Sequence, residues 1–269
     1  MLASKKRLSV YLDGLHDGGA EHLLLSMLPS LLRKVQAIEV HTLSGEYRLE
    51  KEFEKLVNVR KHSVIMMLWG LLTTEDVVYS HLSKSIFLTC LACVIRFILN
   101  LKPKRMICHE HTSFEFHMGR HSIIKRVFDA LYRRIICFCM RNKLISYVVS
   151  TSARNKQLLE TLGRDIDILV FPNSFLLSRI ERLKSCRSDL DLQPVAIKGE
   201  FKIFTLSRLD PVKQLGWAID SIAVLAKDHP ETKFILEICG KGNSLHELRE
   251  QASRCTSLVN LRISFPGYV

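Results

Sequence analysis

The sequence predicts an α/β protein of two αβ domains in tandem, the second of them incomplete. Three observations predict it. Apolar, β-rich runs alternate with helical periodicities nearly from end to end, the pattern of a parallel sheet covered by helices on both faces. A polar, weakly periodic stretch, "SCRSDLDLQPVAIKGE", breaks the alternation and reads as a linker between domains. Beyond it only three further strand-like runs follow, where an open sheet usually has about five or six. The resulting division is a first domain over 1–185, a linker over 186–199 and a partial second domain over 200–269.

The elements follow in order. "LSVYL" is a strand that leads through a glycine turn into the helical "AEHLLLSMLPSLLRK", where Pro29 is placed to kink the helix. The strands "AIEVHTL", "VNVRKH", "DVVYSH", "KRMICHE", "YVVST" and "DILVFP" come next, with helical candidates between most of them. The longest apolar run, "IFLTCLACVIRFILN", is broken by Arg96 and is shorter than the roughly 20 residues of a membrane span. It reads as a buried helix. Around Asn173 the pattern loosens, and a second set begins with the strand "FKIFTLS" and a helix from about Val212. The strand "KFILEICG", the helix "SLHELREQAS" and the strand "NLRISFPG" complete it, with no short repeat or low-complexity tract anywhere.

The 269 residues are 47% hydrophobic and 25% charged, enough apolar material for a sizeable core. The net charge is +12, and it is uneven: from Arg96 to Lys143 there are 11 basic and 3 acidic residues, so this stretch alone carries +8. Such a patch attracts phosphate, whether of nucleic acid, anionic lipid or nucleotide. Bulky apolar residues run through it, as in "IIKRVFDALYRRIICF", which is not a base-stacking array, so nucleic acid is not expected as a partner. Several of the eight cysteines sit within apolar runs, and no secretory signal precedes them, which predicts reduced thiols in a cytosolic protein. Cys90-x-x-Cys93 and Cys137-x-Cys139 read as buried thiols rather than metal ligands.

The most informative segment is "LSRLDPVKQLGWAIDSI" at 206–222. A buried-type strand precedes it, and Leu215, Ala218, Ile219, Ile222 and Leu225 then recur at helical intervals. Arg208 and Lys213 therefore flank a strand-to-helix turn, where unpaired N–H groups and the positive end of the helix dipole favour an anion. Gly18 and Gly19 stand at the turn after the first strand, and Gly240 and Gly242 at a later strand-to-helix turn. Each glycine pair lets backbone approach a ligand closely, although neither forms the G-x-G-x-x-G dinucleotide fingerprint. "ICHEHTSFEFH" places His109, Glu110, His111 and His117 in one loop after a strand, with His81 ending "DVVYSH". Ligands of open αβ sheets bind beyond such strand ends. The spacing is not that of the H-E-x-x-H zinc helix, and no metal is expected.

In sequence order, Gly-Gly-Ala-Glu, His-Glu-His, "VSTSARNKQLL", "FPN", the 206–222 segment, "ICGKG" and "ISFPGYV" resemble the pattern of glycosyltransferase family 4. The resemblance covers essentially the whole chain and is most specific over 206–222. It implies the GT-B fold: two Rossmann-like domains across a cleft, the acceptor on the first and a nucleotide-diphosphate sugar donor on the second. It also implies metal-independent transfer with retention and no cofactor. Many relatives build bacterial surface polysaccharides such as lipopolysaccharide or capsule, which makes a glycan or lipid-linked acceptor the expected second substrate. An enzyme using a lipid-linked acceptor is expected in the cytoplasm, peripheral on the inner face of the membrane and attracted to its anionic surface.

Residue by residue, Arg208 and Lys213 match the pair that neutralises the donor diphosphate, and Gly18 and Gly19 the turn beside that phosphate. Glu110 and His111 match the loop near the reacting sugar, and Gly240 and Gly242 the turn near the nucleotide. The family pattern continues past "FPGYV" to an acidic pair that contacts sugar and ribose, which these 269 residues do not include. The alternative expectation is therefore a noncatalytic remnant that binds nucleotide or a partner.

Overall fold

The computed structural model describes residues 6–16, 18–45, 47–111, 123–162, 166–172 and 199–268. His117, Asn173 and the linker up to residue 198 lie outside the described residues. The chain divides into two compact units, residues 1–184 and 185–269.

The first unit contains β1 (Leu8–Leu12), α1 (Gly19–Leu32), β2 (Ile38–Leu43), α2 (Glu50–Glu54), β3 (Asn58–His62), α3 (Val64–Thr73) and β4 (Val77–His81). It continues with α4 (Ser83–Ile98), β5 (Met106–Glu110), α5 (Ile123–Arg141), β6 (Tyr147–Ser150), α6 (Ala153–Leu162) and β7 (Ile168–Val170). Its seven strands are ordered β3-β2-β1-β4-β5-β6-β7 and every pairing is parallel. The chain winds outward from β1 to β3, returns to β4 beside β1, and winds the other way.

Strand alternation decides which side chains meet which helices. Val10, Leu12, Val40 and Tyr79 pack with Leu24 and Leu28 of α1 and Phe53 of α2. Tyr11, Val78, Cys108 and Val148 pack on the other face with Met67 of α3, Ile86 and Cys90 of α4, and Tyr132 and Ile136 of α5. This is a doubly wound sheet with its switch point between β1 and β4, where the outgoing connections diverge and leave a crevice.

Arg96, the residue that breaks the apolar run, is buried in this core. Its guanidinium donates to the carbonyls of Leu72 (2.6 Å) and Lys102 (2.5 Å). Leu72 lies in the last turn of α3, where unpaired carbonyls favour a cation. α1 runs through Pro29 to Leu32.

His41 on β2 stacks on Tyr11, ring centroids 4.5 Å apart, and its Nδ1 lies 3.0 Å from His62 Nε2. Burial pushes its pKa down to about 4. A histidine whose pKa falls on folding contributes stability in full above about pH 6.5 and loses it as pH drops toward the folded value. Each proton changes stability by about 1.4 kcal/mol per pH unit. Between pH 6.5 and 4.5 the parent should lose about 2–3 kcal/mol more than His41→Gln, measured by denaturant unfolding. Equal losses would contradict a neutral buried His41.

The second unit contains β8 (Glu200–Leu206), a 3-10 turn (Pro211–Lys213), α7 (Leu215–Asp228), β9 (Lys233–Cys239), α8 (Leu245–Ser253) and β10 (Leu261–Gly267). The helix expected from Val212 thus starts later, at Leu215, because Gln214 takes a left-handed conformation (φ 51°) that separates it from the 3-10 turn. The strands are parallel in the order β10-β9-β8. Leu215, Ile219 and Ile222 of α7 and Leu248 of α8 cluster with Phe234, Leu236 and Ile238 of β9, so both helices cover one face. Phe204 and Leu206 alternate with the core-packed Ile203 of β8 and stay 56% and 63% exposed. Among the described residues this sheet has three strands against seven in the first unit.

Candidate active site

In the second unit, the turn after β8 is organised around Leu209, which is fully buried. Its N–H donates to the Lys241 carbonyl (2.9 Å), and its own carbonyl accepts from the Ser244 N–H (2.9 Å). Arg208 and Asp210 flank this anchor, and the Arg208 side chain is 76% exposed with Nη1 3.3 Å from Asp210 Oδ2. An exposed pair of this kind is worth about 0–1 kcal/mol, so the guanidinium is available to a stronger anion at little cost. Lys213 ends the 3-10 turn and is exposed.

The helix that follows has an open N-terminus. Neither Gln214 before α7 nor Ser244 before α8 makes a side-chain cap. In the first unit α1 likewise has no side-chain cap, whereas α3 and α4 are closed. Ser63 caps α3, and Asp13, at the end of β1, accepts from the Ser85 N–H (2.7 Å), the Ser85 hydroxyl (2.8 Å) and the Lys84 N–H (3.2 Å). Asp13 thereby closes α4 to an anion, a role that sequence reasoning did not assign. The start of α7, with Arg208 and Lys213 in the turn before it, is the candidate anion site of the second unit.

Gly240 and Gly242 have a structural reason to be glycine. Gly240 has φ 137°, and a Cβ there would fall 1.8 Å from the Ser207 carbonyl oxygen. At Gly242 it would fall 2.4 Å from the Leu209 carbonyl oxygen. The two glycines let the β9–α8 turn lie against the β8–α7 turn, so they hold the backbone that presents Arg208. Between them sits Lys241, a cation that sequence reasoning passed over although "GKG" displays it. Its Nζ lies 5.6 Å from the centre of the Tyr268 ring.

In the first unit the candidate residues gather at the carboxyl ends of β4 and β5, next to the switch point. His81 and His109 are Cα partners across these strands. Residues two apart on a strand share a face, so His111 returns to the face of His109, and Glu110 points to the other. Glu110 is indeed buried on the α5 side, where its carboxylate accepts from the Tyr132 hydroxyl. His81 Nδ1 lies 2.9 Å from His111 Nε2, and His109 Nδ1 lies 2.8 Å from the Tyr79 hydroxyl. Burial pushes His109 down to about 3 and His111 to about 4, and holds His81 well below its ordinary value, so the rings are neutral near pH 7.

Gly18 caps α1 with ordinary extended backbone (φ −115°), and a Cβ on Gly19 would meet nothing within 4 Å. Neither backbone strain nor packing requires glycine at 19, and the space beside the helix start is open. The buried Glu21 carboxylate lies against Gly18, within 2.5 Å of where a Cβ would stand.

No family model matches the sequence, and no curated protein matches it. Solved structures share its fold. HepE from Anabaena, in complex with UDP and glucose, is 18% identical with a TM-score of 0.63, covering 98% of this chain and 70% of HepE. Sucrose-phosphate synthase from Thermosynechococcus elongatus is 11% identical with a TM-score of 0.62, covering 98% and 71%. A glycosyltransferase from Rickettsia africae is 14% identical with a TM-score of 0.60, covering 99% and 69%. The fold is therefore that of the GT-B glycosyltransferases: an α/β chain with two Rossmann-like units, of which the second has the smaller sheet among the described residues.

Proposed function

We propose that the protein is a glycosyltransferase that takes a sugar from a nucleotide-diphosphate donor and transfers it, with retention, to a glycan or lipid-linked acceptor of bacterial surface polysaccharide. The observation that carries this reading is the β8–α7 turn, where Arg208 and Lys213 stand exposed beside an uncapped helix N-terminus. Cleaving the sugar–phosphate bond leaves charge on the departing diphosphate, and fixed cations stabilise that charge as it develops. Arg208 offers a planar fork to two phosphate oxygens, and Lys213 a mobile point charge. A related fold with UDP and glucose bound supports a nucleotide-sugar donor. In the first unit, His111 is the proposed contact to the transferred sugar. Glu110, held by Tyr132, positions the segment that carries it. In the turn of Gly18 and Gly19, proposed to face phosphate or acceptor, the open space lies at Gly19, and Gly240 and Gly242 bring the nucleotide turn into place.

A panel of nucleotide sugars, incubated with the protein and assayed for released nucleotide, tests the reading. Release with one donor, stimulated by acceptor, is expected. The exposed Phe204 and Leu206 favour a second reading, a nucleotide- or partner-binding module without transfer. Donor binding with no release under any condition would select it.

The acceptor side makes a further prediction. No helix of the described residues is long and apolar enough to cross a membrane. The outer face of α5 carries exposed Val127, Leu131 and Phe138 among exposed Arg134 and Arg141, with Lys143 just beyond. This mixture suits an anionic bilayer surface, where each basic residue contributes about 1 kcal/mol. Co-sedimentation with anionic vesicles should be strong at low salt and fall at high salt. Equal pelleting with neutral vesicles would contradict the electrostatic attachment.

A further inference from the structure

We propose that His81, His109 and His111 form a binding site for one borderline divalent cation of the zinc class. The three imidazoles come from the end of β4 and from β5 with the residue that follows it, and one ring nitrogen of each lies within 4.8 Å of the others. The ring centroids of His109 and His111 are 4.0 Å apart, and those of His81 and His109 are 4.9 Å apart. His81 and His109 are fully buried.

A neutral imidazole has one N–H and one lone pair, and a buried structural histidine normally finds a partner for each. Here each ring finds only one. The His81–His111 hydrogen bond and the Tyr79–His109 hydrogen bond engage one nitrogen per ring. His81 Nε2, His109 Nε2 and His111 Nδ1 are buried and have no hydrogen-bond partner among the described residues. Three such unpaired atoms at one buried place cost stability, and they mark a histidine cluster that the described residues do not complete. Neutral imidazole is a preferred ligand of zinc and its neighbours in the first transition row, whereas magnesium and calcium take oxygen.

The site is close to what such an ion needs. Zinc–nitrogen distances of about 2.0–2.1 Å set tetrahedral ligand nitrogens about 3.3 Å apart. His81 Nδ1 and His111 Nε2 already face each other at 2.9 Å, and an ion held by these two lone pairs takes the place of their shared proton, which moves to the outer nitrogen of its ring. Rotation on fixed, paired strands brings in His109 Nε2. The Tyr79 hydroxyl on His109 Nδ1 is the kind of outer contact that fixes a ligand's tautomer and orientation. Three protein ligands leave a fourth position open, which a water or a sugar hydroxyl fills. Nothing in the sequence spacing displays this site, because His81 meets the other two only through sheet order.

The site shares His111 with the proposed sugar contact, but zinc binding needs no nucleotide, so its test is independent of the transferase reading. The test uses the full chain, stripped with a chelator and titrated with zinc by calorimetry. One equivalent is expected, with affinity reduced at least tenfold in each of His81→Gln and His109→Gln. The same protein, loaded with zinc, should show a nitrogen and oxygen coordination shell with imidazole scattering in X-ray absorption. That measurement needs no variant and stands even where a substitution fails to fold. No zinc bound at micromolar concentration would overturn the proposal. So would sulfur in the coordination shell, which would move the ion to the cysteines, or zinc affinity unchanged in folded variants.

Discussion

Gly240→Ala should destabilise the second unit by about 2–6 kcal/mol, from a strained conformation and an overpacked contact of about 1–3 kcal/mol each. The φ of 137° is one that only glycine adopts easily, and the added Cβ would stand 1.8 Å from the Ser207 carbonyl oxygen. That oxygen is backbone, so it moves only if the β8–α7 turn moves. The turn is tied by Leu209 to Lys241 and Ser244, and the Gly240 N–H donates to the Gly267 carbonyl (2.7 Å). Relief of the clash therefore breaks the bonds that present Arg208. Gly19→Ala is the control: its Cβ meets nothing within 4 Å, and alanine at a helical position gains up to about 1 kcal/mol. Denaturant unfolding should separate the two variants widely. A Gly240→Ala midpoint equal to that of the parent would show that the two turns do not depend on each other.

Arg208→Ala should weaken binding of a nucleoside diphosphate by about 1.5–3 kcal/mol, roughly tenfold to a hundredfold, with the fold unchanged. The side chain is 76% exposed and the Asp210 side chain keeps 26% of its surface in solvent, so water replaces the lost contact. Lys213→Ala should also weaken binding, by less, because a lysine engages phosphate as a single point charge. Asp210→Ala should leave affinity unchanged or raise it by removing a competing carboxylate. Calorimetric affinities that are the same for the parent, Arg208→Ala and Lys213→Ala would remove the turn from the donor site.

Much of the fold was legible because strands and helices differ in period. "LSVYL" is β1, "KFILEIC" is β9, and the other named strand runs fall on strands of the two sheets. The glycine-free "LSRLDPVK" displayed its own turn through Asp210-Pro211 and its two cations. Other features depend on partners distant in sequence. His81 and His109 become neighbours only once β4 lies beside β5, and Asp13 meets Ser85 only across the switch point. The reason for Gly240 lies at Ser207, on another turn. Glu110 was half legible. Its place between two histidines on a strand puts it on the opposite face, but its partner Tyr132 lies on a helix far along the chain. Reading His-Glu-His as one loop cluster merged residues that the strand alternation separates.

The most direct measurement is a crystal structure of the full chain soaked with uridine diphosphate, the nucleotide bound in the related HepE structure. The diphosphate should lie on the β8–α7 turn, with the Arg208 guanidinium and the Lys213 ammonium on its oxygens and the start of α7 beneath it. Diphosphate bound elsewhere, for example along the basic stretch from Arg96 to Lys143, or no binding at saturating nucleotide, would contradict a donor site at that turn.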